Sequence, residues 1–182
     1  MRLKSEHAKF VADKISIELL NSGLVHITQG LETVSAAAET ILREDIEIEK
    51  EINNEAMALI DTQDDDIEFY QADRKQLAWM IKRKIAAEKG FSFNWEERIS
   101  DIAHHILDEL YEEDLINYTI SENRIKNMIF KAIDDYLKRQ SDIEDTVYQK
   151  ITTYKRHIPY GSEEYDIIFN KLYEEELRKL GL

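Results

Sequence analysis

The sequence predicts an all-α protein made of two tandem copies of one unit, each reading helix, extended link, long helix, extended link, helix. Three observations lead there. Residues 31–60 contain no Gly or Pro and place apolar side chains mostly three or four positions apart, at Val34, Ala37, Ala38, Ile41, Leu42, Ile48, Ile52, Ala56 and Ile60. That spacing lays one apolar stripe along a helix about 45 Å long. Ninety-one positions further on, residues 122–151 repeat the pattern with Ile125, Met128, Ile129, Ile133, Leu137, Ile143, Val147 and Ile151. The glycines stand singly at element boundaries, so turns and stripes keep one common offset.

In chain order, residues 7–21 form the first helix, with Val11, Ala12, Ile15 and Leu19 inward and Gly23 placed to end it. Residues 24–28, rich in β-branched side chains, suit one short strand. After the first long helix the acids between Asp61 and Asp66 break the pattern. Residues 67–70 read as extended, and Asp73 is a good N-cap for a helix carrying Leu77, Ile81 and Ile85 and ending at Gly90. The second copy follows the same plan. Its first helix carries Ile99, Ile102, Ala103, Ile106 and Leu110, and residues 115–119 mirror 24–28. Thr119 with Glu122 forms a capping box for the second long helix. The only proline, Pro159, falls in the link 154–161, and Ser162 opens a last helix with Tyr165, Ile168, Phe169, Leu172 and Leu177. The repeats are 1–91 and 92–182. They are expected to share one core, because two short helices cover only part of each long stripe, and because Phe91, Phe93 and Trp95 suit a packed junction better than a flexible linker.

This element order resembles the histone fold, in which two such units clasp across their long helices and the first link of one pairs with the second link of the other. A tandem copy implies a single-chain pseudodimer; an elongated helical bundle is the competing architecture. DNA binding does not travel with the resemblance. The basic histone loops correspond here to Asp64, Asp65 and Asp66 and to the neutral residues 115–119.

Composition narrows the function classes. Thirty-eight acids against twenty-four Lys and Arg give a net charge of −14, which repels a phosphate backbone; nucleic acid is disfavoured unless a local basic patch binds it. Zero cysteine excludes disulfides, thiolate metal sites and a Cys nucleophile, and agrees with a reducing compartment. No apolar run reaches membrane-spanning length and the charged first residues lead into no apolar signal region, so a cytoplasmic protein without membrane contact is expected.

Four segments, MRLKSEHAKFVADKI, DRKQLAWMIKRKI, NWEERISDIAHHILDEL and SENRIKNMIFKAIDDYL, occur in an order and spacing that resembles a bacterial family catalogued as domain of unknown function number five hundred and seven. The resemblance spans the chain. It implies a small cytoplasmic bacterial protein and supplies no catalytic residue.

Three kinds of site bear on function. Asp101, His104, Asp108 and Glu112 recur at helical spacing, with His105 adjacent, which is the best metal bait in the chain. A dinuclear carboxylate bundle, however, needs Glu-x-x-His twice plus two further carboxylates, and the histidines align with the polar Asp13 and Lys14 of the first repeat. No metal, cofactor or catalytic residue is therefore expected; a metal-dependent enzyme using His104 and His105 ranks third among the functions. Neither a Gly-x-Ser-x-Gly elbow nor a Gly-rich phosphate loop occurs. The local charge anomaly is basic: Arg74, Lys75, Lys82, Arg83, Lys84 and Lys89 stand in a stretch whose counterpart in the last helix carries Glu163, Glu164, Asp166 and Glu174 to Glu176, so the sign inverts between repeats. Read as function, this basic stretch receives an acidic protein partner, RNA or the acidic end of another copy. Read as structure, it is a solvated helix face with i,i+4 ion pairs. The leading expectation is a non-enzymatic helical interaction or scaffold protein of unknown partner, and the alternative a nucleic-acid-associated factor using residues 74–89.

Overall fold

A computed structural model of the chain describes residues 3–62, 74–154 and 156–179. In order the elements are α1 (Ser5–Asn21), β1 (Val25–Ile27), α2 (Leu31–Asp61), α3 (Arg74–Glu88), α4 (Trp95–Glu112), β2 (Ile116–Tyr118), α5 (Glu122–Thr152) and α6 (Glu163–Lys179). The protein is all-α, and its β structure among the described residues is the pair β1 and β2. The acidic break after Asp61, the extended reading of 67–70 and the Asp73 cap fall largely at 63–73, outside the described residues.

The element bounds repeat with the 91-residue step read from the sequence: Leu31–Asp61 maps onto Glu122–Thr152 and Val25–Ile27 onto Ile116–Tyr118. Burial repeats with it. Val11, Ala12, Ile15 and Leu19 of α1 are buried, as are their counterparts Ile102, Ala103, Ile106 and Leu110 of α4. At one equivalent turn the two copies solve the same backbone problem differently. Gly23 ends α1 at φ 64°, and Asp114, its counterpart after α4, takes φ 53°. A Cβ at Gly23 would meet nothing within 4 Å, so the left-handed backbone, rather than space, is what favours glycine there. At the second position the amide of Leu115 reaches back to Leu110 O at 2.9 Å and holds the turn against that preference.

Three details differ from the sequence reading. α5 begins at Glu122, directly after Ser121, so Thr119 lies outside the first turn and the Thr119–Glu122 capping box does not form in that register. Asn94, not singled out by pattern, caps α4 by accepting from Glu97 N at 3.1 Å. The stripe of α2 also runs in a different phase. Ala38, Leu42, Ile52, Ala56 and Ile60 are buried as expected, but Ile41 is half-buried and Ile48 is 38% exposed. Spacings of three and four carry the buried line from Leu42 through Asp45 and Glu49 to Ile52, so two acids occupy stripe positions and turn the neighbouring isoleucines aside.

The chain divides into two compact units, residues 2–134 and residues 135–182, with the division inside α5. In the first unit α1 packs along the start of α2. Lys9 Nζ donates to Asp13 Oδ1 at 2.8 Å, and Ser35 Oγ of α2 donates to the same oxygen at 2.5 Å. Those two bonds hold the Asp13 carboxyl below its usual range. β1 pairs antiparallel with β2 as Val25↔Tyr118, His26↔Asn117 and Ile27↔Ile116. His26 and Asn117 are one repeat step apart, so the ladder is symmetric about that pair. It joins first link to first link, whereas a histone dimer pairs a first link with a second. Thr28 extends the contact by donating its hydroxyl to Asp114 O and its amide to Leu115 O. Near the far end of α2, Ile52 and Ala56 bury against Ile85 and Ala86 of α3, with Ile81, Phe91 and Phe93 alongside.

The second unit repeats that last arrangement. Ile143, Val147 and Ile151 of α5 form a cluster with Tyr165 of α6, joined by Ile168, Phe169 and Leu172. Ser162 caps α6, accepting from Tyr165 N at 3.1 Å, as the sequence predicts. Tyr165, Phe169 and Tyr173 stack at 6.0 and 5.9 Å, and Tyr173 donates its hydroxyl to the buried Gln140.

Two measurements check this packing. Ile52→Ala and Ile133→Ala, each fully buried, should cost about 2–5 kcal/mol in urea melts, whereas Ile48→Ala should cost clearly less and Glu47→Ala stay within about half a kcal/mol. Equal costs would refute the helix phase. Residues 1–91 expressed alone lose the β2 partner of β1 and the α4 partner of α2; the fragment should be partly unfolded or self-associated by circular dichroism and light scattering, and mixing it with residues 92–182 should restore a cooperative transition. A fragment that folds as a stable monomer would refute the shared core.

Candidate functional site

An inward ion-pair cluster of the first unit is missing from the sequence reading. Arg98, in the first turn of α4, sits on the buried face beside Ile99 and Ile102 with its side chain 7% exposed. Its Nε and Nη2 donate to Asp45 Oδ2 at 2.9 and 2.5 Å and its Nη1 to Glu49 Oε2 at 2.8 Å. The Phe91 ring lies 4.6 Å from the guanidinium carbon and completes the enclosure. Burial pushes the Asp45 carboxyl up, and the Arg98 hydrogen bond and charge offset only part of that rise. Burial opposes the Arg98 charge as well, but the bonds and charges of the two acids outweigh it and raise its pKa. A signal did exist in the sequence. Asp45 and Glu49 stand four apart on the continuation of the 38–42–52–56 line, and two inward acids require a cation opposite.

Beside this cluster lies a groove of about 510 Å³ bordered by Ile41, Ile48, Phe91, Asp101, His105 and Glu112. It brings together part of the predicted metal bait, but His104 turns elsewhere and meets Asp108 across one helical turn at 3.5 Å. Among the described residues no three His, Asp or Glu side chains are grouped to hold a metal ion. Ser92, on the same rim, donates to Glu97 Oε2 at 2.8 Å and accepts from Asn94 N at 3.0 Å, which fixes it as a turn residue at the start of α4.

The six predicted basic residues separate into two groups. Arg74 Nη2 meets Asp61 Oδ1 at 2.7 Å, and Lys89 Nζ lies 3.5 and 3.6 Å from Glu51 and Glu55, so these two tie the ends of α3 to α2; Lys75 also has an interaction of its own. Lys82, Arg83 and Lys84 have no acidic partner among the described residues. They share α3 with Trp79 and Met80, which are 50% and 61% exposed. Trp79 contacts Phe93 at 5.4 Å, and Phe93 contacts Phe91 at 5.3 Å. Trp79, Arg83, Phe91, Phe93 and Glu97 border a second groove of about 470 Å³. Phe91 and Phe93 of the expected junction pack against the Ile52–Ile85 cluster, and Trp79 beside them stays half exposed.

Arg98→Met should cost about 3–5 kcal/mol at pH 7, since it removes the cation that Asp45 and Glu49 share. Burial already raises the Asp45 carboxyl above its usual range and losing the cation raises it further, so the deficit should shrink as the pH falls from 7 toward about 4.5 and protonation removes that buried charge. Chemical denaturation across that range measures it. A deficit independent of pH would show that Arg98 acts through packing alone.

No helix among the described residues is long and apolar enough to cross a membrane. Among curated proteins, none matches the chain. The family described as Protein of unknown function (DUF507) matches from residue 1 to residue 182, the whole chain, and the chain belongs to that family.

Proposed function

We propose that this protein is a non-enzymatic interaction or scaffold protein that receives an acidic protein segment on α3. One observation carries the reading. Arg83 and the exposed Trp79 border an aromatic groove, and Lys82 and Lys84, like Arg83 unpaired among the described residues, lie with the exposed Met80 on the same helix. Unpaired cations around an exposed indole supply both halves of a protein contact, an apolar anchor and charges that orient it. A phosphate backbone fits less well, because the chain carries −14 overall and Glu97 faces the same groove. The cytoplasm is the compartment this reading assumes, in keeping with the cysteine-free sequence.

The test is affinity capture from nuclease-treated lysate of the native host, with wild type and the R83E/K84E variant as parallel baits. A protein held by wild type and lost from the variant supports the reading. Nucleic acid captured instead from a parallel lysate without nuclease, with binding that falls steeply between about 50 and 200 mM salt, would establish the alternative of a nucleic-acid-associated factor acting through residues 74–89.

A further inference from the structure

Alignment of α3 with α6 at the 91-residue step places Lys75 opposite Asp166, Arg83 opposite Glu174 and Lys84 opposite Glu175. Side-chain partners sharpen the contrast. On α6, Glu176 is held by Lys150 and Lys179, and Glu164 by Arg156. The carboxylates of the exposed Glu163, Asp166 and Glu174 have no basic partner among the described residues; Arg178 meets Glu174 only at its backbone oxygen. Ile167 lies between them on the helix surface, 63% exposed. Residues 163, 166, 167, 170 and 174 follow one another at steps of one, three and four, so acids and isoleucine share one outward face. α3 offers the complement, Lys82, Arg83 and Lys84 beside Trp79 and Met80.

From this we infer that the occupant of the α3 surface is a second copy of this chain, whose α6 docks its Glu163–Asp166–Ile167–Glu174 face against Trp79, Arg83 and Lys84. The inference rests on the reading of α3 as an interaction surface and names the partner. Each copy carries one basic and one acidic face, so the contact is heterologous. It closes when two copies exchange it reciprocally and otherwise runs on from copy to copy. Two chains of −14 repel at long range, and about 0.15 M salt confines that repulsion to roughly 8 Å while leaving the contacting pairs close enough to act.

Sedimentation velocity on the purified chain at about 0.15 M salt, from micromolar to several hundred micromolar, tests it. Wild type should gain mass with concentration. R83E/K84E alone and D166K/E174K alone should each remain monomeric with unchanged helicity and melting. An equimolar mixture of the two should associate again, because each then offers the other a complementary pair of faces. Wild type that stays monomeric throughout, or that associates as well when either face is reversed, would overturn the inference, as would a mixture that fails to restore association. These outcomes leave the broader reading separately testable, since a different acidic protein lost from the R83E/K84E bait would survive a monomeric result with the purified chain.

Discussion

A helix of 31 residues with one apolar stripe is stable in water only when something covers the stripe along its length, and this chain has two such helices and little else from which to build a core. That constraint explains the placement of the other elements. α1 covers the start of α2 through Ala8, Val11, Ala12 and Ile15, and α3 covers its end through Ile85 and Ala86. α6 covers the end of α5 in the same manner. Near the middle of α2 the cover comes from across the repeat boundary, from α4, and there the stripe is polar.

Asp45, Glu49 and Arg98 are costly to bury and costly to separate. A well-packed apolar trio at such a site often stabilises as much as the ions do, so their energetic argument is one of specificity. Arg98 bonds two acids on adjacent turns of α2 while Phe91 covers its face. That geometry exists at one rotation and one register of α4 on α2, and a slip by a helical turn would strand two carboxylates without a partner. The equivalent stripe positions on α5 are Tyr136 and Gln140, neither of them charged, so the two long helices share a polar interruption but not its chemistry.

Surface and interior follow different rules in the two halves. Inward positions keep their apolar character at the common step, whereas outward positions on α3 and α6 invert their charge. Burial constrains volume and polarity at each inward position, because a lost methylene leaves a cavity. An exposed helix face carries no such penalty and is open to change by what binds it. Within the basic stretch Arg74 and Lys89 are paired to α2, whereas Lys82, Arg83 and Lys84 have no acidic partner among the described residues.

The sequence by itself determined the helical class, the long helices to within a residue, both short strands and most of the buried residues of α1, α4 and α5. The reason is that local periodicity, glycine placement and β-branched content act within a few residues of chain. It also identified the basic stretch, since charge is read directly. Tertiary structure alone decided which side of the α2 stripe faces inward between Leu42 and Ile52, because an acid is accepted inside only when a cation from a distant element meets it, and Arg98 lies about fifty residues away. It likewise decided that β1 pairs with β2 and that only part of the basic stretch is unpaired. Each of those outcomes depends on distances between segments far apart in the chain, for which periodicity carries no term.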